Sequence, residues 1–414
     1  MAQRIATQRI AIVGAGYAGL ACAVELADAG CHVDVFEASR TLGGRARAVD
    51  IDGMSVDNGM HILVGAYRET LRLMQKVGAG RTALKRQTLH LEFPGHVKVV
   101  APRLPAPLHL AWALLTARGL LWKEKVAAIR FMRALKKARF RLPRDITAKQ
   151  LIANQPLALR RFLWEPLCLA ALNTPVREAS AQVFLNVLRD SLAAGRAASD
   201  LLLPTTDLSN LFPEPAARFI ESRGGQVHRG RRIHSLDELA DFDHYVLAVA
   251  PYHLPALAPQ IPLPEFAWQP IATIYLQYPE TVRLPFPMLG MAGRHGQWLF
   301  DRGSLAGQPG LLAVVISGSG AWQVLDHPAL GQAIHGEVQQ LLPDLPAPRK
   351  TWVIEEKRAT FACTPGLLRP TTQTPLPHVW LAGDYVAGDY PATIEGAVRS
   401  GVAAANMILS QPQP

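Results

Sequence analysis

Gly14, Gly16 and Gly19 stand in the spacing GxGxxG, and Glu37 follows about 20 residues on. Such glycines let a chain turn tightly and let backbone N–H groups approach a pyrophosphate at a helix N-terminus, with Ala15 inside the same turn. A carboxylate at Glu37 suits ribose hydroxyls and disfavours a 2′-phosphate. Gly43, Gly44 and Arg45 come next, and a guanidinium there can make charge-assisted bonds to the same pyrophosphate. Asp57-Asn-Gly-Met-His61 sets a carboxylate and an imidazole in one short segment. Imidazole titrates near neutrality and suits proton transfer, so His61 is the first candidate acid. Tyr67, Tyr390, Asp57 and Glu395 are lesser candidates, and Glu395 equally suits a carboxylate in the first turn of its own helix.

These residues need elements that bring them together. The β-branched run 9–13, the glycine turn, a helical stretch to 29 and an apolar run 32–36 read as strand–turn–helix–strand. That is the opening of a doubly wound, Rossmann-like α/β domain. A hairpin is expected around 46–53 and an amphipathic helix at 66–77. From about residue 102 the chain turns helical through 108–142, 162–172 and 179–194. Strand patterns return at 245–250, 271–278, 311–317 and 351–355, and a last strand-to-helix junction joins 378–381 to 393–409. The expected division is a nucleotide unit from 1–100, 205–262 and 371–414, interrupted by a mixed α+β substrate unit from 101–204 and 263–370.

Composition narrows the partners. The chain has 414 residues, with 49% hydrophobic and 18% charged, which excludes a disordered or collagen-like protein. Cys22, Cys31, Cys168 and Cys363 stand apart, without zinc spacing or a CxxC pair, so buried reduced thiols and no metal are expected. The apolar run 10–24, preceded by Arg4 and Arg9, carries three glycines and leads into Glu25 and Asp28, unlike a signal peptide. No run reaches the roughly 18 uncharged apolar residues of a spanning helix. Residues 118–144 hold ten Lys or Arg and one acid, Glu124, a local +9 against +10 for the whole chain. Trp122, Phe131, Met132 and Phe140 are interleaved there. Cations mixed with apolar anchors fit an interfacial helix on anionic lipid better than nucleic acid; a solvated basic face is the plainer alternative. A cytoplasmic protein, peripheral on the inner face of the cytoplasmic membrane, is the expectation.

Glu37 followed by Gly43-Gly44-Arg45 resembles the flavoproteins that include amine oxidases and phytoene-type desaturases. That resemblance implies FAD, with Gly43, Gly44 and Arg45 at its diphosphate. It implies Ile233 at the adenine, Gly383-Asp384 at the ribityl–phosphate part and the Ile394 N–H towards the flavin. Within this group, 57–67, 164–175, 198–204 and 391–396 resemble the hydroxysqualene dehydroxylases, best over 10–78, 161–216 and 377–405 and thinly over 255–370. The family's Gln is replaced here by Met60, which leaves packing or backbone as its contribution to the cofactor site. The family's activity would be reductive loss of the allylic hydroxyl of hydroxysqualene, within bacterial squalene and hopanoid biosynthesis. It would need a long apolar tunnel, for which 108–121, 162–172 and 184–203 are the expected walls, and, without a second nucleotide fingerprint, a separate electron donor. A carotenoid-type desaturase, an amine oxidase with Tyr385 and Tyr390 as its aromatic cage, and a non-catalytic lipid-binding flavoprotein are the alternatives.

Overall fold

The computed structural model describes residues 8–411. Arg4 and the other ends of the expected nucleotide unit, 1–7 and 412–414, lie outside the described residues. A five-stranded parallel sheet runs in the order Gln226–Arg229, His32–Glu37, Arg9–Val13, His244–Leu247, Val379–Leu381. Ile10, Ile12, Val33 and Val35 enter one core and Ala11, Val13 and Phe36 another. Both faces are therefore covered, which is why these strands read as apolar runs without polar alternation.

The glycine helix, Tyr17–Asp28, covers one face and is buried almost all round, between the helix Pro213–Ser222 and the C-terminal helix Ile394–Leu409. A residue that lets two backbones meet marks this packing: a Cβ on Gly401 would stand 2.1 Å from the Ala18 carbonyl oxygen.

A second, antiparallel sheet has the order Met288–Gly290, Trp298–Asp301, Leu311–Ser317, Trp268–Gln277, Lys350–Phe361. Alternation along the strand Trp268–Gln277 sends Ala272, Ile274 and Leu276 towards the helix His327–Gln339, and Ile271 and Tyr275 to the other face. The expected hairpin pairs Ala48–Ile51 with Met54–Asp57 and delivers the segment ending at His61. The helical stretch 162–172 begins within a wider π-type turn, Arg160–Trp164, and the stretch 179–194 ends in another, Arg189–Ala193.

The continuous helix expected over 108–142 is instead two, the platform helix Leu108–Leu115 and the basic helix Trp122–Lys137. Between them Arg118 and Lys98 exchange backbone hydrogen bonds, and Gly119 takes φ +79° with its α-carbon against the His96 carbonyl. The tunnel wall expected from 108–121 is also corrected. His109, Ala113 and Ala117 face inward, whereas Leu108, Trp112, Leu115 and Leu121 are exposed. The inward stripe lies against the strand Val97–Val100, where small residues fit, so the bulky ones fall on the opposite side. All four cysteines are buried and unpaired. Among the described residues no helix is long and apolar enough to cross a membrane.

Candidate active site

The strand Arg9–Val13 ends at Gly14, whose φ of +109° and N–H bond to the Phe36 carbonyl (2.8 Å) turn the chain into the glycine helix. That helix starts at Tyr17 without a side-chain cap, so its first N–H groups remain available to an anion. A cavity of 630 Å³ opens above it. Gly14, Gly16, Glu37, Gly43, Gly44, Arg45, His61, Ile233, Gly383, Asp384 and Ile394 all line this one cavity, although they span almost the whole sequence.

Ala15, Gly19, Met60, Tyr67 and Tyr390 do not line it. Ala15 contributes structure: its N–H donates to Glu37 Oε2 (2.8 Å) while Glu37 Oε1 accepts from the Ser39 N–H (2.8 Å), which joins the two strand ends. Gly19 packs on the turn, where a Cβ would fall 2.0 Å from the Gly14 carbonyl oxygen. Met60 turns its sulfur to Arg302 Nη1 (3.3 Å), so its side chain belongs to a buried cluster and not to the cavity. Tyr67 packs against the core beside Glu395, and burial raises its hydroxyl pKa, which makes it a reluctant acid. Tyr390 lies under the Arg399 guanidinium, 4.6 Å from its ring.

Glu395 is nearly inaccessible and spends its oxygens elsewhere. It accepts from the Thr70 N–H (3.0 Å), Thr70 Oγ1 (2.8 Å), the Glu69 N–H (3.2 Å) and Arg399 Nε (2.7 Å). It thereby caps a different helix, Arg68–Lys76, whose first N–H groups it satisfies. The C-terminal helix is itself capped by Thr393, which accepts from the Gly396 N–H (2.9 Å).

His61 Nδ1 lies 2.7 Å from the Gly59 carbonyl oxygen. A carbonyl only accepts, so Nδ1 carries the hydrogen and Nε2 is the atom free to exchange a proton. Burial lowers the His61 pKa from its ordinary 6.5; the Gly59 bond opposes this and the nearby Arg45 charge adds to it. Arg45 donates to Asp384 Oδ1 (2.5 Å) and to the Ala359 carbonyl (2.8 Å), so its charge is fixed at the middle of the cavity. Below the loop, Asp57 accepts from the Leu208 N–H (2.8 Å) and from Arg302 Nη1 (3.2 Å). Burial nevertheless pushes its pKa up to about 6. Tyr275 donates its hydroxyl to the Asp57 carbonyl (2.8 Å).

Sequence reading missed Asn58, Tyr252, Ala359 and Glu356 as cavity residues. Asn58 stood in a motif already noticed, and its Nδ2 donates to the Arg45 carbonyl (3.3 Å) and to Glu356 Oε2 (3.2 Å). Tyr252, Ala359 and Glu356 carry no local pattern, and only the pairing of strand Lys350–Phe361 brings the last two there.

The cradle fits a dinucleotide on its own chemistry. One cavity gathers a carboxylate, an uncapped helix N-terminus and a guanidinium. The floor between them is open, since a Cβ on Gly16 would meet nothing nearer than the Gly44 α-carbon at 4.0 Å. Residues 17–409 match the flavin-containing amine oxidoreductase family, and the chain belongs to it. It is a flavin-dependent oxidoreductase, and its cofactor is FAD. It is similar to the hydroxysqualene dehydroxylase of Sinorhizobium fredii, 29% identical over 98% of this chain and 99% of that one. It is also similar to a probable zeta-carotene desaturase of Synechococcus elongatus, 27% identical over 97% and 98% of the two chains. The fold matches a putative protoporphyrinogen oxidase from Exiguobacterium with a TM-score of 0.70 at 16% identity, over 98% of this chain and 100% of the other.

Proposed function

We propose that the protein is a hydroxysqualene dehydroxylase, replacing the allylic hydroxyl of hydroxysqualene with hydrogen and releasing squalene and water. The observation that carries this reading is the position of His61, its Nε2 free, in the cofactor cavity of a chain similar throughout to enzymes of that name. When bound in its reduced form, FAD supplies the hydride. A departing hydroxyl needs a proton, and protonated His61 Nε2 is the group of this chain placed to give it. The carbon–oxygen bond breaks with its electron pair on oxygen, the departing hydroxyl takes the His61 proton and leaves as water, and the hydride that the cofactor would supply completes the new carbon–hydrogen bond. Gly59 holds the imidazole by its other nitrogen, so the ring keeps one orientation through the proton transfer.

Cofactor contacts in this reading come chiefly from the segments 1–100, 205–262 and 371–414, joined in the cavity by Glu356 and Ala359, while the rest of 263–370 and 101–204, the exposed side of the platform helix excepted, receive the isoprenoid. Residues 118–144 rest on the anionic inner face of the cytoplasmic membrane, where so oily a substrate resides. A separate donor reduces the flavin.

Anaerobic incubation of the FAD-loaded, reduced protein with hydroxysqualene tests the reading. Squalene and water in stoichiometric yield are expected. Absence of squalene, with desaturation of a carotene by the oxidised protein, would overturn it in favour of the desaturase reading that the Synechococcus relative supports. Rapid mixing with NADPH alone should leave the flavin oxidised; reduction on the turnover timescale removes the separate donor.

A further inference from the structure

Leu104, Leu108, Trp112 and Leu115 recur at helical spacing on one side of the platform helix and its approach, and every one of them is exposed. Leu108 is 57% exposed, Trp112 51% and Leu115 50%. Leu121 and Trp122, the latter 65% exposed, stand at the start of the basic helix that follows. Lys125 Nζ donates to the Leu115 carbonyl (2.7 Å), which ties the start of one helix to the end of the other. Single exposed apolar residues need no explanation, but a run of leucines and tryptophans on joined helices does.

Its surroundings state the partner's charge. The ten cations between 118 and 144 form no ion pair with any carboxylate among the described residues, and nine of them are exposed. The one acid, Glu124, is buried as the cap of its own helix, accepting from the Leu121 N–H (2.8 Å). Uncompensated cations around an apolar surface complement anionic headgroups over acyl chains.

We infer that the platform helix is a shallow insertion element, which places Leu108, Trp112, Leu115 and Trp122 among the acyl chains of an anionic bilayer while the basic helix holds the headgroups. The inference rests on the membrane reading above and sharpens it: attachment is hydrophobic as well as electrostatic, and the inserting residues other than Trp122 lie outside the basic stretch itself. The residues involved are distant in role from the cofactor cavity, none of whose lining they form.

Sedimentation of the FAD-loaded protein with vesicles of phosphatidylcholine, with and without phosphatidylglycerol, tests this. Wild type should bind the anionic vesicles and retain part of that binding in high salt. The L108S/W112S variant should bind them about ten- to hundredfold more weakly, lose all binding in high salt, and turn over detergent-dispersed substrate normally. An R130E/R133E/K137E variant should lose its preference for phosphatidylglycerol. Fully salt-labile binding by the wild type, with L108S/W112S binding equally tightly, would overturn insertion and leave simple adsorption. Failure of wild type to bind either vesicle would overturn the membrane reading as well, without touching the proposed reaction. A wild-type dimer that L108S/W112S converts to monomer, with no vesicle binding, would overturn insertion and assign the surface to a second copy of the chain.

Discussion

Arg302 Nη1 lies 3.2 Å from Asp57 Oδ2, and both side chains are 1% exposed. The same nitrogen reaches Met60 Sδ at 3.3 Å, so one buried guanidinium holds both ends of the turn that leads into His61. Arg302 follows the strand Trp298–Asp301 of the antiparallel sheet, whereas Asp57 ends the hairpin beside the cofactor cradle. The pair therefore fixes a loop of the cofactor side to an element of the other sheet. Removing one partner alone should cost about 3–5 kcal/mol, because the other charge stays buried without compensation. R302M and D57N should each show that loss in urea denaturation, and the double variant should recover most of it. Additive losses would show that the two side chains do not depend on each other.

Asp57 also gives a pH dependence. Its folded pKa of about 6 lies above the ordinary 3.8, so its contribution favours folding most fully below 3.8 and is lost as pH rises through about 6. Between pH 7 and pH 5 the wild type should gain about 1 kcal/mol relative to D57N. Denaturation midpoints of the two proteins across that range measure it, and parallel curves would contradict it.

His61 should impose an alkaline limb on turnover. Its lowered pKa means that the protonated form needed for hydroxyl loss disappears as pH rises through a value below 6.5. Single-turnover rates should fall along that limb, and H61Q should lose both the limb and roughly two to four orders of magnitude in rate. Flavin absorbance should show FAD still bound to H61Q. A normal rate in that variant would remove the imidazole from the reaction.

The glycines of the first turn should separate experimentally. A Cβ on Gly19 would collide with the Gly14 carbonyl oxygen at 2.0 Å, whereas a Cβ on Gly16 meets nothing closer than Gly44 at 4.0 Å. G19A should therefore lower the denaturation temperature of the protein. G16A should fold as wild type but bind FAD more weakly, because its methyl enters the cofactor's space. Equal effects of both variants on stability would show that Gly16 is also needed by the turn.

Glu395 offers a purely structural contrast to His61. E395A removes four hydrogen bonds to the start of helix Arg68–Lys76 and to Arg399, and should cost about 2–3 kcal/mol. Hydrogen exchange should accelerate first at the Glu69 and Thr70 amides. Protection unchanged at those amides would show that the helix has another cap.

Local chemistry makes much of this legible in the residues alone. The β-branched run at 9–13, the glycine turn, Glu37 and the junction at Gly383-Asp384 each carry their meaning within a few residues, and the parallel sheet then gathers them. Thr393 is readable as the start of the last helix because a cap acts three residues away. Arg302 with Asp57 and Glu395 with Thr70 are not, since partners 245 and 325 residues apart leave no spacing to read. The platform helix fails differently. Its leucines and tryptophan announce an apolar face, but only its fit against Val97–Val100 decides that the bulky side points outward.

The packing of Gly401 on Ala18 has a consequence for how the protein is made. The wall that presents Ile394 and Asp384 to the cofactor lies hundreds of residues further along the chain than the helix on which it closes. Until that later segment leaves the ribosome, the nascent chain carries only half of the binding site. A complete FAD site therefore cannot form before the Ile394 segment is made, and bound FAD would bridge two stretches of chain synthesised far apart in time.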